Sequence, residues 1–351
     1  MEKKPNIIKG IGIIAVVVGH SHCPVYLHDI IYSFHMPLFF ILSGFLFKEK
    51  YFNQKRTFLK KRIYSLYIPY VTWTIIFILL HNTFFHLGLI NDLYGYDGKV
   101  NHLYSSSEII IRALKSFLLI QGENFLGTFW FIRALFLGQI VFILFLNSTK
   151  KQLIFTPIIA TLIFTRIILI NHNIIPSSGV IIHQALFATF FISIGKLIKQ
   201  HLPTIKTLSL CVLTIGFIFC GLTFNLSLNP EIQNCLLLPI TGTIGFLLSY
   251  KISSLMEHHF IGNLFSLIGQ KSFYIFALHF LMFKPISFLK IHLYNLDMSM
   301  LGSFPVIVEQ NTFFWIAYSF AGIFLSILLS LVIDKIPLLN RDTKPIKFQN
   351  H

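Results

Sequence analysis

Apolar residues run along this 351-residue chain in long stretches, interrupted by short segments where lysine, asparagine and other polar residues gather. A helix needs about 20 mostly apolar residues to cross a bilayer core of roughly 30 Å. That length predicts ten spans, at about 7–26, 30–47, 66–87, 125–146, 153–172, 180–198, 207–225, 235–251, 264–288 and 312–333. The eighth is short and carries Pro239, Gly242 and Gly245, which predicts a kinked or discontinuous helix. No internal repeat of fixed period is visible. The segment 88–124 is polar at first. It then places Ile109, Ile110, Ala113, Leu114, Phe117 and Leu118 at helical spacing, as in a helix lying along a membrane surface. The expected fold class is therefore an all-α integral membrane protein, a polytopic bundle of about ten transmembrane helices. One membrane-embedded domain spans 1–351, with a short tail, 334–351, after a last span ending near 333.

Composition agrees with the pattern. Hydrophobic residues make up 55% of the chain and charged residues 12%, against about 25% charged in soluble domains, and mean hydropathy is +0.73. A soluble enzyme, a disordered chain and a small disulfide scaffold are thereby excluded. The net charge of +15 invites a nucleic-acid reading, but the basic residues sit mostly in the short loops. With the N-terminus in the cytoplasm, inner segments collect 20 of the 28 Lys and Arg, while outer loops hold only Lys99, Arg112, Lys115 and Lys290. The positive-inside rule then puts both termini in the cytoplasm. The first span lacks a small-residue cleavage pattern and carries His20 in its apolar run, so it reads as retained and not as a signal peptide. Cys23, Cys211, Cys220 and Cys235 form no CxxC pair, and no metal is expected.

Ionisable residues inside spans cost at least a few kcal/mol and are functional candidates. His20 follows Lys9 by 11 residues, which returns to within about 20° of the same helix face after a rise of about 16 Å. A helix bonded through its histidine and oriented by its lysine is the plain alternative. His35 heads the run FHMPLFFILSGF, in which Ser43 and Gly44 read as packing residues. Lys60, Lys61 and Arg62 precede Tyr67-Ile68-Pro69-Tyr70, where clustered cations suit a polyanion, with topology or lipid contact as the alternative. Trp130, Arg133 and Arg166 are candidates for substrate contact, although both arginines can also snorkel to the surface. His279, about 22 Å up a helix starting near 264, lies level with His20 and His35. Three histidines at one depth predict a polar cavity, which His183 could join. Ser319, Gly322, Ser326 and Ser330 form a small-residue packing stripe.

Taken in order, the Lys9–His20 face, the FHMPLFFILSGF run, the KKR…IP segment, FWFIRAL and GQKSFYIFALH resemble the acyltransferase-3 family of bacterial membrane O-acyltransferases. The likeness covers nearly the whole chain and is nearest to the branch of sugar O-acetyltransferases that includes fucose O-acetylase-like proteins. The family's first basic position is commonly arginine. Here it is Lys9, which keeps the charge and loses the bidentate fork. The resemblance implies transfer of acetyl from acetyl-CoA to a hydroxyl of a cell-surface polysaccharide, lipopolysaccharide or lipid-linked sugar at the bacterial inner membrane. It implies His20 as base or transient acyl carrier, with His279 and His35 orienting it, stabilising the oxyanion or binding acceptor. Lys9, Arg62 and Lys61 would hold the CoA phosphates. The expected partners are the lipid bilayer, a carbohydrate acceptor and glycan-assembly proteins, and no nucleic acid. A transporter or flippase of sugar intermediates is the alternative, with the histidines as substrate or proton sites.

Overall fold

The computed structural model describes residues 3–96, 99–120, 122–145, 149–174, 179–201, 207–229, 231–310 and 313–336. The helices are α1 (Lys3–His20), α2 (Val25–Tyr32), α3 (His35–Phe45), α4 (Lys55–Arg62), α5 (Ile68–His86), α6 (Ser106–Phe117) and α7 (Trp130–Phe145). They continue as α8 (Thr149–Asn171), α9 (Val180–His201), α10 (Thr207–Thr223), α11 (Ile232–Met256), α12 (Phe260–Gln270), α13 (Ser272–Tyr294) and α14 (Phe314–Ile333). One antiparallel pair of two-residue strands, Gly95–Tyr96 with Lys99–Val100, is the sole sheet among the described residues. Among those residues, eight helical segments are long and apolar enough to cross a membrane, Val25–Phe45 and Lys55–His86 among them. This is the all-α polytopic membrane bundle that the hydropathy pattern predicts. Of the other two expected spans, α1 has 18 residues and includes Lys3, Lys4 and Lys9, while α10 has 17.

α1 is the axis of the bundle and touches α2, α3, α11, α12, α13 and α14. Residues around its circumference are buried, from Ile7 and Ile8 to Val16 and Val17. Its closest neighbour is α12. The backbones meet at Gly10, beside the Phe265 carbonyl, and at Gly269, beside the Asn6 carbonyl, where a Cβ would collide. α4 and α5 are joined through a π-helical turn, Ile63–Tyr67. Pro69 follows it and offers no N–H to the preceding turn, a common cause of a local change in helical winding.

Two expectations are corrected. The eighth span is a continuous 25-residue helix, α11, with Pro239 in its third turn. Its Gly242 and Gly245 admit Pro37 and Phe34 of the neighbouring chain segment, so they serve close packing. The ninth span is instead two helices. The chain breaks at Lys271, whose Nζ donates to Asp334 Oδ2 at 2.6 Å, and α13 begins afresh at Ser272. Lys290, expected in a loop, is consequently a fully buried residue of α13. Its Nζ donates to the Ile307 carbonyl at 2.9 Å, and Lys284 donates to the carbonyls of Leu301 and Ser303 at 2.8 Å each. The two ammonium groups thus pin the segment before α14 against α13.

The expected surface helix is α6. Ser105 caps it by accepting from the Glu108 N–H at 3.2 Å, one of the donors a helix N-terminus leaves open. Ile110, Ile111, Leu114, Phe117 and Leu118 are all at least half exposed, an apolar stripe available to lipid.

Candidate active site

His20 ends α1, and Ser21 Oγ donates to the Val18 carbonyl at 2.7 Å in the turn that leads to α2. His279 sits seven residues into α13. The break at Lys271 shortens its climb along that helix to about 10 Å. Its ring nevertheless stacks on that of His20, with centroids 5.7 Å apart and planes 28° apart. Phe280 flanks both rings, at 5.1 Å from His20 and 4.2 Å from His279. His35 opens α3, is buried, and donates Nδ1–H to the Ile31 carbonyl at 2.8 Å. Tyr32 joins the group: its hydroxyl is 3.4 Å from His20 Nδ1 and its ring centroid 4.9 Å from that of His35. The three predicted histidines therefore do converge, with a tyrosine that spacing alone did not single out.

The hydrogen on His279 follows from its neighbours. Nδ1 faces the carbonyl oxygens of Ile275 and Phe276 at 2.9 and 3.1 Å. Carbonyls only accept, so Nδ1 carries the hydrogen and Nε2 presents its lone pair. That Nε2 is buried and meets no hydrogen-bond partner among the described residues. An unpartnered buried acceptor is costly, and such groups concentrate where a reaction uses them.

On the side of the lysines, a cavity of about 300 Å³ is lined by Lys9, Arg62, Ser43, Ser65, Gln139 and Ser272, with apolar walls that include Phe131 and Phe276. Arg62 reaches it from the end of α4, its guanidinium 4.7 Å from the centre of the Phe58 ring. Ser43 accepts from Gln139 Nε2 at 2.5 Å, so it contributes a polar wall as well as packing. Phe276 belongs to both features, lining the cavity and bonding His279 through its carbonyl. A cavity with two cations and apolar walls, joined at Phe276 to the imidazole pair, suits an elongated molecule with an anionic head.

Other predicted residues lie elsewhere. Lys61 is outside this lining and donates to the Tyr51 hydroxyl at 3.0 Å. Trp130 is the first residue of α7, and its ring centroid is 6.5 Å from that of Phe131. Arg133 donates to the Leu119 carbonyl at 3.0 Å and to Gln184 Oε1 at 3.1 Å, which fixes α7 to α9. Arg166 donates to the Gly179 carbonyl at 3.3 Å. His183 packs on Phe187 of its own helix at 4.8 Å. Among the described residues no group of three or more His, Cys, Asp or Glu is arranged to hold a metal.

One buried polar network gives no sign of itself in the sequence. Glu123 and His81 are each 4% exposed at the side chain and 3.0 Å apart. Tyr104 stacks on His81 at 3.5 Å, and the Arg112 guanidinium lies over the Tyr104 ring, 4.0 Å from its centre. Its function in the fold is to clasp the segment before α7 to α5.

A bundle of apolar helices long enough to cross a membrane, with paired imidazoles and a cation-lined cavity inside it, defines a class: a polytopic membrane protein with a polar interior. The chain belongs to the acyltransferase-3 family, whose acyltransferase domain model matches residues 2–334. It is thus a multi-pass membrane acyltransferase. No curated protein and no solved structure matches it.

Proposed function

We propose that this acyltransferase moves an acetyl group from acetyl-CoA to a hydroxyl of a cell-surface polysaccharide, lipopolysaccharide or lipid-linked sugar at the bacterial inner membrane. The observation that carries the reading is the shared axis of Lys9 and His20. The first lines the cavity with Arg62, and the second stacks on His279 at the far end of the same helix. In this scheme Lys9 and Arg62 hold the CoA phosphates at the cytoplasmic mouth, and the acyl arm extends past Phe276. The histidine pair takes the proton of the acceptor hydroxyl as the new C–O bond forms and the C–S bond breaks. A proton then passes to the departing thiolate. A second route makes His20 the transient carrier, its ring nitrogen acylated by the thioester with release of the CoA thiol and then deacylated by the hydroxyl.

The test is surface-glycan acetylation in cells lacking the gene, complemented with wild type, His20→Ala or Lys9→Ala, with membrane levels matched by immunoblot. NMR of the purified glycan should show O-acetyl groups restored by wild type and lost, by at least about 100-fold, in His20→Ala. Normal acetylation with impaired glycan export would overturn the reading in favour of a transporter.

A further inference from the structure

The cavity beside Lys9 serves the donor; the acceptor needs its own approach, and α2 supplies the chemistry for it. We propose that His28, Asp29 and Tyr32 form the acceptor subsite, selective for an uncharged sugar bearing neighbouring hydroxyls. This rests on the acetyltransferase reading and extends it to the other substrate.

His28 and Asp29 are consecutive in α2 and lie four and three residues before Tyr32, so each is one turn from it. All are partly accessible: His28 is 35% exposed and Asp29 19% at the side chain, Tyr32 is half-buried, and the Tyr32 hydroxyl touches His20. A ligand touching Asp29 and His28 from outside is therefore one residue from the reaction centre. The rings of His28 and Tyr32 are stacked, centroids 3.9 Å apart and planes 27° apart. His28 Nδ1 and Asp29 Oδ1 are 3.0 Å apart, which directs the Nδ1–H toward the carboxylate and turns Nε2 outward from that bond.

Those are the groups a sugar requires. A carboxylate accepts from two adjacent hydroxyls and an imidazole nitrogen accepts or donates, while the Tyr32 ring, stacked on His28, holds that imidazole in place. An anionic headgroup or free phosphate fits poorly, because the Asp29 carboxylate would repel it. A surface ion pair serving stability alone would need neither the stack on Tyr32 nor the contact from Tyr32 to His20.

The experiment uses the full chain in proteoliposomes with labelled acetyl-CoA and, as acceptor, surface glycan stripped of O-acetyl groups by mild alkali. Asp29→Asn and His28→Phe should each raise the KM for glycan about tenfold, while the KM for acetyl-CoA stays at the wild-type value. Asp29→Glu should recover part of the loss. Saturation-transfer NMR of the same glycan, with no acetyl-CoA present, should show contact with wild type and its loss in Asp29→Asn. An unchanged glycan KM in both variants overturns the subsite, as does a fall in kcat alone, which would make α2 a support for His20. If wild type binds the glycan but transfers no acetyl group, the acetyltransferase reading fails while the subsite stands. If wild type shows neither, both fall.

Discussion

Asp334 is the residue at which protonation should be read most directly. It follows α14, and burial alone would raise its pKa. The hydrogen bonds from Lys271 and Tyr274 outweigh that and hold it below the ordinary carboxylate value. A carboxylate depressed in the folded state stabilises the fold above its unfolded pKa, about 3.9, and loses that contribution as pH falls through the folded value. Thermal unfolding in detergent should therefore separate wild type from Asp334→Asn by a constant margin between pH 7 and pH 5. The margin should shrink toward pH 3; one that widens there would refute the link. Lys271 was legible only as a charge within a span, since its partner lies 63 positions away. The histidines were legible because ionisable groups are rare in apolar runs. Tyr32 and Glu123 were not, because a tyrosine is ordinary near a membrane surface and a carboxylate just outside a span gives no sign of burial.

At the scale of the element, hydropathy located the helices well and misjudged how two of them are interrupted. Proline with glycine predicts a kinked or discontinuous eighth span; α11 is not discontinuous, and its glycines face bulky neighbours. The break before α13 falls in GQKSF, which holds no proline. The signal at Lys271 is tertiary: its tie to the end of α14. Helix crossings make a sharper prediction. A Cβ at Gly269 would strike the Asn6 carbonyl, whereas one at Gly216 in α10 meets nothing within 4 Å. Gly269→Ala should cost about 1–3 kcal/mol through overpacking. Gly216→Ala should be neutral or stabilise by up to about 1 kcal/mol, since alanine favours the helix. Comparing the detergent unfolding temperatures of the two variants checks the pair, and equal losses would contradict the close crossing of α1 and α12.

For the whole molecule, the decisive expectation is sidedness. Lysine and arginine counts predict both termini in the cytoplasm, in which case a fluorescent protein fused to the C-terminus fluoresces. Alkaline phosphatase inserted after Asp92, in the segment between α5 and α6, should be active. The opposite result in both would invert the bundle and bring the acetyl donor to the wrong mouth. Within that frame α1 acts as a ruler. Lys9 and His20 belong to one rigid helix, and the distance between the proposed donor anchor and the proposed reaction centre is set by the residues counted between them. One inserted residue would swing His20 by about 100° away from His279, and four would nearly restore the bearing but add about 6 Å. The letters between positions 9 and 20 can change, as far as their packing allows, but the length of that stretch cannot. Insertions and deletions there should abolish activity even where the helix still forms.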